Sequence, residues 1–177
     1  MAVVSFSGAP YDMAFENRVR GILQMYLGGE AVGEACGELL TGRVNPSGKL
    51  AESWPYAVED TPCHGFFATG SDDIEYRESI YVGYRYYDSF GIPVRFPFGF
   101  GLSYTTFAYD NLELSSETYE GGKLQVSLDV TNTGSAAGAE IVELYVENPP
   151  ADYLRAKKEL KGFQKAVSYT HLTLPTI

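Results

Sequence analysis

A chain of 177 residues with 45% apolar content can hold one globular domain or two small ones, and none of its apolar runs approaches the length of a membrane span. Its formal net charge of −10 excludes a nucleic-acid partner, whose phosphates require a basic surface. Two cysteines, Cys36 and Cys63, are too few for a disulfide framework, and Cys63 with the adjacent His64 lacks the second ligand pair of a zinc site.

The chain opens on Ala2 to Phe6, a short apolar run closed by Ser7-Gly8-Ala9-Pro10, which suits a buried strand running into a loop. Ile22 to Leu27 is a second such run, closed by Gly28 and Gly29. Next, Ala31, Ala35 and Leu39, flanked by Val32, Cys36 and Leu40, form two adjacent i,i+4 stripes. They predict an amphipathic helix laid on a sheet, ended by Gly42. Strand, crossover, strand and helix are the grammar of an α/β layered domain, here with only two parallel strands of it. Asn45-Pro46-Ser47-Gly48 is turn chemistry, and Lys49 to Ser53 is expected to follow as an edge strand. The glycines there lack phosphate-loop spacing. From Ala57 to Asp73 the sequence turns polar and rich in glycine and proline, as a surface loop does.

The stretch from Tyr76 to Phe107 is unlike the rest. Of the chain's 14 tyrosines, 10 phenylalanines and one tryptophan, it holds 11, together with four glycines. Aromatics bury large areas, so so dense a run is expected to lie pinned between larger bodies. Pro93, Pro97, Gly99 and Gly101 forbid a long helix and predict an extended, bent path, and Tyr81 to Tyr87 alone could pass for a strand. Beyond Phe107 the pattern becomes β: Tyr109 to Leu114, Leu124 to Val130, Ile141 to Val146 and the start of another at Glu159 to Phe163. Leu128, Val130, Val142, Leu144 and Val146 are the expected inward-facing residues of a β-sandwich.

Residues Tyr76 to Phe107, YRESIYVGYRYYDSFGIPVRFPFGFGLSYTTF, closely resemble the linker of glycoside hydrolase family 3. There it joins an α/β sandwich domain to a C-terminal fibronectin type III-like domain. The family pattern reads roughly Y-x-E-G-I-Y-V-G-Y-R-Y-Y and then F-P-F-G-x-G-L-S-Y-T-T-F, and Ser79 stands where glycine is usual. Gly42 to Leu50 resembles the family's GxVNPSGKL segment, and Lys158 to Phe163 its KELKGF segment. The resemblance implies an α/β remnant over residues 1–56, a loop and aromatic linker over 57–106, and a truncated, all-β fibronectin type III-like sandwich over 107–166. Residues 167–177 instead resemble the translation of a transposon-end adapter used in DNA sequencing libraries, and are expected to be a non-native tail.

The resemblance also implies a parent enzyme that hydrolyses β-linked glucosides, xylosides or oligosaccharides with retention. That chemistry needs two carboxyl groups about 5 Å apart. In the family the nucleophilic aspartate lies in an N-terminal barrel and the acid/base glutamate upstream of the strand matching Ala2 to Phe6. No catalytic, cofactor-binding or metal-binding residue is therefore assigned here, and the expected role is structural. The acids Asp72, Asp73, Glu75 and Glu78 read as a solvated surface, with Glu78 expected to pair with Arg77 or Arg85. His64 and His171 form no triad, because no serine sits in a nucleophile elbow. Trp54 and the tyrosines leave open a sugar-binding or adhesion module as the alternative function.

Overall fold

The computed structural model describes residues 1–67, 70, 73–167 and 170–174, the last five as backbone. Strands β1 (Ala2–Ser5) and β2 (Gly21–Gln24) pair in parallel, as the two apolar runs predict, with Val3 beside Ile22 and Val4 beside Leu23. Helix α1 (Val32–Leu40) follows, and Gly42 behind it takes a φ of 72°, a left-handed value that suits glycine at a helix end. Of the six apolar positions, Val32, Cys36 and Leu39 are half-buried, whereas Ala31, Ala35 and Leu40 face solvent. Neither predicted stripe packs whole, since Val32 and Cys36 come from one and Leu39 from the other, and no residue of the helix is fully buried.

The edge strand predicted over Lys49 to Ser53 does not form. Its backbone instead meets the bend after Pro97: the Leu50 N–H donates to the Phe100 carbonyl at 2.8 Å, and the Gly99 N–H to the Leu50 carbonyl at 2.8 Å. The strand is displaced to β3 (Trp54–Pro55), which pairs antiparallel with β4 (Val94–Phe96). Proline at β3 lacks an N–H, and the pairing is correspondingly short and shifted in register.

Between them lies a correction to the expected extended path. Tyr84–Phe90 is a helix, α2, so Tyr81 to Tyr87 is not a strand. Gly83 precedes it at φ 55°, and Gly91 ends it in the left-handed region, where its N–H and that of Ile92 return to the Tyr87 carbonyl. Glycine at both ends limits the helix to seven residues.

The second half is a β-sandwich. Strands β5 (Phe107–Leu114), β6 (Val126–Asn132) and β9 (Thr170–Leu174) form one antiparallel sheet in the order β5-β6-β9. Strands β7 (Ala139–Glu147) and β8 (Lys158–Val167) form the other. Val126, Leu128 and Val130 from the first sheet meet Val142 and Ala166 from the second, with Leu144 packed against them. Period-2 alternation therefore placed this core correctly, except that Val146, near the end of β7, is 37% exposed. The sequence pattern predicts no strand past Lys165, yet β8 reaches Val167 and β9 occupies the edge of β6. An antiparallel edge is satisfied by backbone groups of any extended segment, which is how residues 170–174 pair without a strand-like pattern.

Candidate functional site

The residues with a distinctive arrangement lie where the two halves meet, on the linker from Tyr81 to Phe107. Its first part grips the second sheet. The Leu160 N–H of β8 donates to the Tyr84 hydroxyl at 2.8 Å, and the Lys157 N–H donates to the Ser89 hydroxyl at 3.0 Å. The Tyr81 hydroxyl donates to the Arg155 carbonyl at 3.3 Å. Tyr84 also contacts the rings of Phe98 (5.3 Å between centroids) and Tyr145 (5.7 Å, edge-on). Lys158 lies over the Tyr145 ring and pairs with Asp88 at 3.2 Å. Burial, then the hydrogen bond from its hydroxyl to Glu143, raises the Tyr145 phenol far above its ordinary value.

The later part of the linker grips the α/β half. Trp54, 2% exposed, packs edge-on against Tyr11 (5.3 Å) and Phe96 (6.1 Å), and Phe96 stacks on Phe100 at 4.9 Å. The Tyr104 hydroxyl donates to the Leu39 carbonyl at the end of α1, and the Tyr104 N–H donates to Asn45 Oδ1 at 2.8 Å. Arg95 pairs with Glu16 at 2.5 Å and lies over the Tyr56 ring. The aromatic run is thus a clamp that contacts β8 on one side and Trp54 and α1 on the other. Trp54 is buried in it, which removes its ring faces from any sugar.

A polar group beneath the clamp was not anticipated. The Tyr26 hydroxyl, Glu52 Oε1 and Trp54 Nε1 are buried together outside strict hydrogen-bond geometry, and burial followed by the Glu52 charge raises the Tyr26 phenol. Tyr26 itself has a φ of 51° just past the end of β2. Only an alignment or a structure reveals such a backbone value, because tyrosine carries no signal for it.

The acidic residues do not converge. Asp72 lies outside the described residues, Asp73 and Glu75 are exposed, and Glu75 pairs with Arg77 at 2.6 Å. Arg85 faces Glu159 at 3.7 Å, so both arginines expected to partner Glu78 are paired elsewhere. The i,i+2 neighbour simply reaches Arg77 first, and α2 turns Arg85 towards β8. His64 is exposed in the loop, the side chain of His171 lies outside the described residues, and both cysteines are free.

Residues 1–104 match the glycosyl hydrolase family 3 C-terminal domain. The chain belongs to glycoside hydrolase family 3. It is 44% identical over 166 residues to the thermostable beta-glucosidase B of Acetivibrio thermocellus, covering 93% of this chain and 22% of that protein. A probable beta-glucosidase I of Emericella nidulans is 42% identical over 169 residues, with 93% and 20% covered. Among solved structures, beta-glucosidase 3B from Thermotoga neapolitana in complex with glucose superposes with a TM-score of 0.87 at 35% identity, covering 99% of this chain and 25% of that one. The GH3 beta-glucosidase of Bifidobacterium adolescentis gives 0.89 at 36% identity, with 99% and 26% covered. The chain therefore spans about a fifth to a quarter of the length of these family 3 relatives. Ser79, the one departure from the family's linker pattern, has a φ of 52°, where glycine is at ease and serine is strained.

Proposed function

We propose that this chain is the structural, non-catalytic part of a retaining, exo-acting β-glycosidase that hydrolyses β-linked glucosides, xylosides or oligosaccharides. In it, residues 1–56 close the α/β sandwich domain, 57–106 form the joint, and 107–166 belong to the fibronectin type III-like domain. The observation that carries this reading is the linker, whose two ends hold different halves: Tyr84 binds β8 and Ser89 the residue just before it, Lys157, whereas Phe96 and Tyr104 bind Trp54 and α1. A carboxylate pair flanking a sugar is the minimum for the reaction. The acids of the 73–78 stretch are instead exposed or half-buried on a surface loop.

Incubating the purified chain with aryl β-glucosides and β-xylosides tests this directly. The expected result is no turnover above buffer. Turnover that disappears in Glu78→Gln would overturn the reading and place catalysis in the linker. Saturable calorimetric binding of β-linked oligosaccharides by the same preparation would instead establish a sugar-binding module.

A further inference from the structure

The clamp has a second, polar component at its far end. Lys49, in the irregular segment after α1, reaches across the joint to Glu140 of β7, with Nζ and Oε1 at 2.8 Å and side chains only 14% and 10% exposed. The same ammonium donates to the Gly101 carbonyl of the linker at 2.7 Å. Glu140 also faces the Tyr109 hydroxyl of β5; burial first, and that carboxylate second, push the phenol up to about 12. One buried ion pair thus joins the α/β half, the linker and both sheets of the sandwich.

Four residues before Lys49, Asn45 repeats the pattern in neutral form. Its Nδ2 donates to the Ala137 carbonyl in the β6–β7 turn at 2.9 Å, while its Oδ1 accepts from the Ser103 hydroxyl at 3.0 Å and the Tyr104 N–H. The approach is close enough to require glycine. A Cβ on Gly101 would lie 2.6 Å from the Gly48 carbonyl, and one on Gly138 would lie 2.7 Å from Asn45 Nδ2.

We propose that the Asn45–Lys49 segment is a conformational lock that seats the α/β half on the sandwich through the Lys49–Glu140 pair. None of the residues of β1, β2 or α1 is fully buried in this chain, and the buried side chains of this half, Met13, Ser53 and Trp54, lie outside those elements. The sandwich, with its own apolar cluster, does not depend on the lock. A buried pair also sets orientation sharply, because removing one partner strands the other charge away from water.

Hydrogen exchange on the 177-residue chain, at concentrations where it is monomeric, tests the lock. Lys49→Met is expected to lower protection at Leu50, Gly99 and the β1–β2 amides by on the order of a hundredfold while amides of Val126 to Val130 keep theirs. Glu140→Gln, which retains an acceptor, is expected to do the same more mildly. The double variant is expected to be no worse than Lys49→Met alone, since both changes break one interaction. A uniform loss of protection over both halves, no loss at all, or additive effects of the two changes would overturn the proposal.

Discussion

The two halves of the molecule are built on opposite terms. The sandwich carries Val126, Leu128, Val130, Val142 and Ala166 at 6% exposure or less, contributed by both of its sheets. The α/β half has β1, β2 and α1 without a single fully buried residue, and its buried side chains, Met13, Ser53 and Trp54, lie outside those elements. Within this chain, which spans about a fifth to a quarter of its relatives' length, the sandwich closes an apolar cluster of its own, whereas the α/β half is tied to it by the linker and the lock. Regular secondary structure is no guide to which region is stable; what matters is where its apolar faces are covered.

The sharpest way to break this contrast is a pair of large-to-small changes. Trp54→Ala removes the ring that ties β3 to Tyr11 and Phe96 and is expected to destabilise the α/β half by about 3–5 kcal/mol. The far-UV ellipticity of the sandwich should survive it. Leu128→Ala is expected to cost about 2–5 kcal/mol and to do the reverse, melting the sandwich and the α/β half together because the second rests on the first. Urea titration of both variants followed by ellipticity checks this; identical curves would erase the distinction.

A smaller effect sharpens the role of the joint. Tyr87, on the inner side of α2 and 5% exposed, has its phenol pushed up to about 12, chiefly by burial and then by Tyr86. A raised value in the folded state means the neutral form is favoured there. Its stabilising contribution is full below about pH 10 and is lost as the pH rises towards about 12. Tyr87→Phe should flatten the fall in the urea midpoint over that alkaline range, and an unchanged slope would show that Tyr87 is not the group responsible. Smaller again is Ser79→Gly, which relieves the φ of 52° and is expected to stabilise by a few tenths to about 1 kcal/mol, read as a rise in Tm.

How much of this was legible in the sequence follows from the physics of each signal. Alternation along β6 and β7 named the sandwich core because one face of each strand has a single apolar destination. The glycines at 83 and 91 bounded α2, but seven residues rich in tyrosine read as strand, since aromatic side chains favour strands and the helix is decided by capping. Lys49 looked like part of an edge strand because its ion partner, Glu140, is far away in sequence. The Glu78 pairing failed for a related reason, since local spacing is blind to a competitor such as Glu159. The family pattern marked position 79 as a glycine site, and the backbone shows why.

The chain's only tryptophan, Trp54, sits on the α/β side of the joint, so its fluorescence reports that half while exchange of the Val126 to Val130 amides reports the sandwich. A urea titration following both signals on the unmodified chain tests the central contrast most directly. The fluorescence transition is expected at lower urea than the loss of amide protection, with the sandwich outlasting the half that leans on it. Coincident transitions would contradict this and show that the two halves unfold as one.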